Sequence, residues 1–541
     1  MLLFVVIKAQ TQDFDPVLKG KIDDFIEQSI EENDPGIAVG IIQNGQLVYE
    51  HYVGYANLEY QIKVNEKTRF NIASNAKQFT ALCILKLVEQ GKLRLDDDIR
   101  TYLPDIHPSI PEKITIAQLI NHSSGIRDYC DLLALTGKSW WKQFIDNEDA
   151  LELLKGQRDL NFKPGTEYGY SNSNYILLTE IIHKVTGQDF SEVALALFKE
   201  LDMPHTAFLT HYSAIVPDRA RPYGKWNGWQ TEPTVTGVHG DGALFTTLAD
   251  QLRWEQIIQI NDGAHLPQSL IRKTQAPMET SVDDGYGYGL MFQIYRGLEH
   301  SYHDGVTGAY RASFLRFPTK KLSVVLLSNN RNIRADVIAT QVVHLVLGLE
   351  DENKTYPDKP GRIEKLTDVQ PLLGFYKSDG GSIIQITQKD GALYRTFYQR
   401  DPVKLVPEQG GLFAYETIEG LTMNFTNIGQ SNQQFTLYAT YQPPYSYQKL
   451  LDQDLNTFDK QALNGRFYND ETDTEIRLKF VEGTTYTLTK NGRERTAELI
   501  LEDYLRMMDV YHIRILRDAQ DKIIGLNVER DRIKNVIFTK K

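Results

Sequence analysis

Ser74-Asn75-Ala76-Lys77, running straight into Gln78-Phe79-Thr80-Ala81-Leu82-Cys83-Ile84-Leu85-Lys86-Leu87-Val88, decides how the rest of this 541-residue chain is read. A serine and a lysine one helical turn apart lie on the same face. A serine hydroxyl is a weak nucleophile until a neighbouring base takes its proton, and a lysine can be that base when burial or nearby charge lowers its pKa. The segment after Lys77 is apolar almost all round, so it reads as a buried helix rather than a half-exposed one. A serine at the mouth of such a helix also sits near the positive end of its dipole, where negative charge developing on oxygen is stabilised.

The spacing alone decides little. Ser-x-x-Lys recurs at Ser139-Trp140-Trp141-Lys142 and at Ser446-Tyr447-Gln448-Lys449, and roughly one or two chance matches are expected in a chain this long. Context separates the three. Ser139 is followed by two bulky indoles where a substrate would need room. Ser446 follows Pro443-Pro444 and reads as linker. Only Ser74 precedes a long core helix, and even there the structural alternative, a helix-capping serine, has equal weight until other motifs are found.

Composition narrows the field. The formal net charge of −12 argues against a general nucleic-acid binder, which needs clustered Lys and Arg. Cys83 and Cys130 are the only cysteines, too few for a disulfide framework or a zinc cluster, and no His-Glu-x-x-His pattern occurs; no metal and no cofactor are expected. Met1-Leu2-Leu3-Phe4-Val5-Val6-Ile7-Lys8-Ala9 is too short to span a bilayer. Residues 1–12 are read as the tail of a signal peptide whose basic start is missing, which predicts export, to the periplasm; without such a leader the chain would be cytoplasmic. No membrane span is expected.

Along the chain, Leu18, Ile22, Phe25, Ile26 and Ile30 recur at helical spacing and predict a helix over 16–32. Asn44-Gly45 between two apolar runs predicts a hairpin. Antiparallel strands are expected at 288–295, 301–303, 312–317 and 322–328, then a helix at 332–347. A helix and two strands at one end, and strands and a helix at the other, suit one antiparallel sheet whose edge strands come from both chain ends and which terminal helices cover. The unit is placed at 13–350 and a polar, Pro-bearing linker at 351–362. Beyond it short alternating strands recur in two blocks, 363–450 and 451–541, opening on Leu373-Gly374-Phe375-Tyr376 and Asn464-Gly465-Arg466-Phe467-Tyr468. They are read as two small antiparallel β-barrel modules, the alternative being one larger β-domain.

Two further motifs turn Ser74 from a coin toss into a site. Tyr170-Ser171-Asn172 lies in a Gly- and Pro-marked loop before a helix starting near Tyr175, and loops present reactive groups. A tyrosine that shares its proton with a lysine can act as a base, while an asparagine two residues on can hold a substrate amide. The structural alternative is a turn with an aromatic plug, and Tyr55-Ala56-Asn57 shows that the spacing also arises elsewhere. His303-Asp304-Gly305 is the only His-x-Gly in the chain and falls on an expected strand. A glycine there lets the backbone approach a substrate, and the next amide, of Val306, can join that of Ser74 around an oxyanion. Taken alone, His303 would more readily be a satisfied strand histidine.

Ser-x-x-Lys, Tyr-x-Asn and His-x-Gly, in this order and at these wide intervals, resemble the serine β-lactamase and penicillin-binding-protein superfamily. The resemblance is nearest to its class C β-lactamase-like branch, with its D-aminopeptidases, DD-carboxypeptidases and esterases. Phe70-Asn71-Ile72-Ala73-Ser74, Gln118-Leu119-Ile120-Asn121-His122-Ser123-Ser124-Gly125-Ile126 and Gly240-Asp241-Gly242-Ala243-Leu244 extend it over about residues 15–350. It implies an α/β (α+β) domain, an antiparallel sheet flanked by helices with a helical subdomain, and the β modules resemble the lipocalin-like C-terminal domains of D-aminopeptidases. By resemblance, Ser74 is the acyl-accepting nucleophile, and Lys77 and Tyr170 share the acid–base work, the order between them left open. Asn172, His303 and Gly305 bind substrate, and the Ser74 and Val306 amides form the oxyanion hole. His303 stands where true β-lactamases commonly carry lysine; it would bind or steer a substrate carboxylate or hydroxyl network, which favours peptide or ester substrates over antibiotics. His122 and Arg127 read as pocket wall or, with at least equal weight, as purely structural residues, and Tyr223, Trp226 and Trp229 as either pocket lining or packing. The expected activity is therefore hydrolysis, through an acyl-enzyme, of a D-amino-acid-containing peptide or a small amide or ester. The alternatives are a true β-lactamase or a non-catalytic binding protein or sensor on the same fold. The partner is a small-molecule or peptide substrate, and the oligomeric state is left open.

Overall fold

The computed structural model describes residues 14–541 apart from 139–141, 233, 280–281, 283–284, 350–367, 379–381, 397–400, 409–411, 417, 440–443, 452–454, 508–511 and 531. The expected leader at 1–12, the linker at 351–362 and the indole pair after Ser139 lie outside the described residues.

Helix α1 (Pro16–Gln28) starts where the Asp15 carboxylate takes the Val17 N–H and proline occupies the first turn. It stops short of the expected 32 because Asp34 folds the chain back, its carboxylate accepting from the Glu31 N–H at 3.2 Å. Strands β1 (Ile37–Gln43) and β2 (Gln46–Val53) follow. Asn44 and Gly45 between them have φ of 53° and 75°, the paired positive values of a two-residue hairpin turn.

The main sheet continues with β3 (Tyr286–Gly287), β4 (Leu290–Tyr295), β5 (Leu298–Thr307), β6 (Tyr310–Phe317) and β7 (Leu322–Ser328), in the spatial order β3-β4-β5-β6-β7-β1-β2. The two ends of this unit meet inside the sheet: Ile37 faces Ser328 and Gln43 faces Leu322 across an antiparallel ladder. Thus β1 is an inner strand, not an edge, because both its neighbours offer apolar partners. Alternation sorts its side chains. Val39 and Ile41 pack with Val324, Leu326, Ile22 and the closing helix over Ala335–Leu347. Ala38 and Ile42 face the other core with Phe79, Leu252, Phe314 and Val325. That second face carries helix α2 (Lys77–Glu89), buried along most of its length, and a helical subdomain containing α3 (Ile116–Ile120), α4 (Tyr129–Thr136) and α5 (Asn172–Thr186).

Two closed eight-stranded barrels follow, over Gly374–Lys449 and Gly465–Lys540. Their openings are equivalent: Tyr376 and Phe467, each two residues after the glycine that starts the first strand, are fully buried. Both interiors are filled by side chains. In the first, Phe435 stacks on Tyr447 at 4.7 Å. Ser446 lies in a barrel strand, Tyr445–Lys449, rather than a linker, which puts Ser446 and Lys449 on opposite faces and removes that spacing as a site.

Candidate active site

The chain turns sharply just before Ser74. Ala73 has φ 49°, a left-handed conformation costing a residue with a Cβ about 1–2 kcal/mol. The turn is held from behind: the Ala73 N–H donates to Asn71 Oδ1 at 2.9 Å, and Asn71 pairs with Phe245. One 3-10 turn, Ala73–Ala76, then feeds α2. Ala73, Asn75 and Ala76 are buried and Ser74 is half-buried, so the hydroxyl is the group the turn presents, at the N-terminus of a helix.

Lys77 is fully buried. Its Nζ lies 3.3 Å from Ser74 Oγ, 2.9 Å from Asn172 Oδ1 and 2.7 Å from the Asp241 carbonyl oxygen, within hydrogen-bonding reach of all three. Asn172 opens α5, and its own N–H donates to Asp128 Oδ2 at 2.7 Å. The Asn172 amide oxygen is therefore committed to Lys77, which leaves the NH2 end for a substrate. Tyr170 is half-buried, its ring centroid 5.0 Å from Lys77 Nζ. The three motifs thus converge, although Tyr170 meets Ser74 through Lys77 rather than through a direct hydrogen bond.

Gly305 lies on β5 where a Cβ would stand 2.2 Å from the Ile72 carbonyl oxygen. Only glycine lets β5 run this close to the turn bearing Ser74. His303 faces the same side but is 3% exposed. Its Nδ1–H donates to the Asp304 carbonyl at 2.7 Å, and Nε2 accepts from the Tyr286 hydroxyl at 3.2 Å. Burial, helped by the Lys77 charge, pulls its pKa down to about 3, so at neutral pH the ring offers no positive charge to a carboxylate and stands as a member of a hydroxyl network.

Several residues at the site carried no role in the sequence reading. Asp241, in the quoted Gly-Asp-Gly phrase, holds Lys77 by its carbonyl while its buried carboxylate accepts from the Tyr129 hydroxyl at 3.1 Å; burial pushes that carboxyl up. Asp128 joins two helix starts, capping α4 through the Cys130 N–H at 2.9 Å as well as holding Asn172. Tyr286 signals nothing in sequence beyond a run of Tyr and Gly. Arg532 comes from the last hairpin of the second barrel: its guanidinium carbon is 4.8 Å from the Tyr170 ring centroid, and Nη1 is 3.7 Å from Asp128 Oδ2.

Open alternatives are resolved. Arg127 takes the structural one. Its buried guanidinium donates to the Lys534 and Asn535 carbonyls at 3.0 and 2.7 Å, to Gln157 Oε1 at 3.0 Å and to the Glu471 carboxylate, clasping the second barrel to the hydrolase unit. Tyr223 and Trp229 are packing: the Tyr223 hydroxyl accepts from the Leu58 N–H and the Trp229 indole donates to Asp34. Among the described residues no cluster of His, Cys, Asp and Glu could hold a metal ion, and no helix is long and apolar enough to cross a membrane.

Comparison with known proteins agrees with this fold. The family model described as beta-lactamase matches residues 22–347. A D-aminopeptidase of Gluconobacter oxydans (strain 621H) is 29% identical over 410 residues, 73% of this chain and 70% of that one. A D-aminopeptidase of Brucella canis is 28% identical over 341 residues; the match takes in 61% of this chain and 62% of the relative, just under two thirds of its length. Among solved structures, the octameric penicillin-binding protein homologue from Pyrococcus abyssi superposes with a TM-score of 0.57 at 25% identity, covering 79% of this chain and 99% of its own.

Proposed function

Starting from a chain that belongs to the beta-lactamase family, we propose that it is a serine hydrolase acting through an acyl-enzyme on D-amino-acid-containing peptides or small amides and esters. The observation that carries this reading is the Lys77 amine, 3.3 Å from the Ser74 hydroxyl and pinned by Asn172 and Asp241. Ser74 attacks the carbonyl carbon; its proton passes to the Lys77–Tyr170 pair, which enters the step one proton short, as a Lys77 amine beside the phenol or a Lys77 ammonium beside the phenolate, and later returns that proton to the leaving group. The Ser74 and Val306 amides receive the oxyanion. Asn172 offers its NH2 to the substrate amide. Arg532, two-fifths exposed, takes the carboxylate-binding role that a neutral His303 cannot, and its charge and that of Lys77 both lie against the Tyr170 ring as the phenol oxygen gains or loses a proton. The D-aminopeptidase relatives favour D-residues on the acyl side. Export through residues 1–12 belongs to the same reading.

The test is intact mass after incubation with a fluorophosphonate, alongside turnover of D- and L-alanine p-nitroanilides, p-nitrophenyl esters and a chromogenic cephalosporin. The expected result is one adduct on Ser74, faster turnover of D- than L-substrates, and loss of both adduct and hydrolysis in Ser74→Ala with the fold retained. Full residual activity in Ser74→Ala would rule the mechanism out; a folded wild type that takes no adduct would favour the binding-protein alternative.

A further inference from the structure

Resting on the reading of Tyr170 as an acid–base group, we infer that His122 is the positioning residue of that phenol. Tyr170 sits in a loop, between a turn and the first residue of α5, where nothing in regular secondary structure fixes its ring. His122 grips it from three directions. Its carbonyl accepts from the Gly169 N–H at 2.9 Å, on one side of Tyr170. Its Nδ1 accepts from the Ser171 N–H at 3.2 Å, on the other. Its ring lies against the Tyr170 ring, centroids 4.3 Å apart and planes inclined at 35°.

The clamp is itself held. His122 has φ 60° and is fully buried, directly after the short helix α3. The Asn174 NH2 donates to the same Nδ1 at 3.1 Å, while Asn174 Oδ1 accepts from the Ser124 hydroxyl at 2.7 Å. Tyr286 and Tyr175 close round the imidazole with centroids at 4.6 and 5.4 Å. A backbone N–H can only donate, so Nδ1 must present its lone pair and the proton must sit on Nε2. That tautomer is neutral, as the surroundings require: burial above all, with the charges of Lys77 and Arg532, holds the His122 pKa well below its ordinary value. Nε2 is buried with no hydrogen-bond partner among the described residues. The polar contacts of this imidazole are thus concentrated at Nδ1, beside the loop that carries Tyr170. A phenylalanine would keep the stacking and lose the acceptor. An asparagine would keep an acceptor near Nδ1, tolerate the positive φ and lose the stacking.

The test compares acylation rate, kcat and KM of wild type, H122F, H122N, Y170F and the H122F/Y170F double variant over pH 5.5–9.5, on whichever substrate of the panel above is turned over, with thermal unfolding alongside. H122F is expected to slow acylation roughly 10²-fold, the scale of an ångström-sized misplacement, to change KM less than about twofold, and to move the pH profile. H122N is expected to recover most of the loss. In the Y170F background H122F should cost less than about twofold, because coupled residues are not additive. The inference is overturned if H122F acylates like wild type, if it slows Y170F by the same factor as it slows wild type, or if H122N is no better than H122F. Y170F tells which layer failed: a wild-type rate there removes the acid–base role of Tyr170 and His122's part with it, whereas a slow Y170F with a fast H122F removes the clamp alone. Histidine 15N spectra of the wild type give a check that needs no variant: an acceptor-type Nδ1 for His122 throughout pH 5.5–9.5 is expected, and a protonated Nδ1 would overturn the inference.

Discussion

The two barrels have the same strand count, the same opening and comparably filled interiors, yet they stand in different relations to the cleft. The first keeps a core of its own, built on Tyr376, Phe425, Phe435 and Tyr447. The core of the second is continuous with that of the hydrolase unit, Phe467, Ile513 and Phe538 belonging to one apolar cluster with Phe79, Leu82 and Leu132. The first touches the second through Phe375 and Ile383 against Ile500, Leu501 and Tyr504, with Lys377 3.3 Å from Glu529. The second reaches the site through Arg127–Glu471, Arg530–Asp131 and Arg532–Asp128. A repeated fold therefore carries an unrepeated role, and the difference lies in the apolar and charged side chains by which each barrel meets its neighbours, not in the strand plan.

The sharpest way to break this contrast is Arg127→Ala. It leaves Glu471 and several carbonyls without their donor in a buried place, which costs about 3–5 kcal/mol when one partner of a buried pair is removed. Denaturant unfolding should show that loss, against under about 1 kcal/mol for Lys377→Ala at the partly exposed seam between the barrels. Equal effects would make the two seams alike. Next in size is Arg532→Ala. If its guanidinium meets a substrate carboxylate, kcat/KM for carboxylate-bearing substrates should fall roughly ten- to a hundredfold, the worth of a hydrogen bond to a charged group, with little change for their amidated counterparts. An equal fall for both would confine Arg532 to structure.

The smallest effect concerns pH. Burial, with Asp128 nearby and against the pull of Arg530 and Arg532, pushes the Asp131 carboxyl up to about 6. A folded-state pKa above the unfolded one means that the native state binds the extra proton between about pH 4 and 6. Asp131's contribution is then full below pH 4 and is lost as pH rises through 6. The melting temperature of Asp131→Asn relative to wild type should accordingly climb from pH 4 to pH 7. A flat difference would show an ordinary carboxyl there and weaken the picture of a tightly buried second-barrel seam.

How much was legible in the sequence varies with how local the physics is. The Ser74 turn and α2 were legible because a one-turn spacing and an apolar run act within a few residues. The Asn44-Gly45 hairpin was legible because its backbone conformation depends on those two residues. His303 was found for its place but carries no charge, since its electrostatics come from Tyr286, Lys77 and burial, none of which its neighbours in sequence reveal. Arg127 stayed open in sequence between pocket wall and structure, because its partners, Glu471, Lys534 and Asn535, are supplied by a barrel hundreds of positions away.

The sequence by itself determined the Ser74 turn, the loop bearing Tyr170 and Asn172, the glycine that lets β5 pass beside Ser74, and two β modules announced by matching openings, because spacing, turn chemistry and alternation are properties of short segments. Only the tertiary structure decided that β1 closes the sheet against β7, that Asp241 and Asn172 share the Lys77 Nζ, that His122 bonds to the backbone on both sides of Tyr170, and that the second barrel sets Arg532 against the Tyr170 ring. Those facts depend on burial and on charges brought together across the fold, and a side chain's protonation and partners are set by what surrounds it in space.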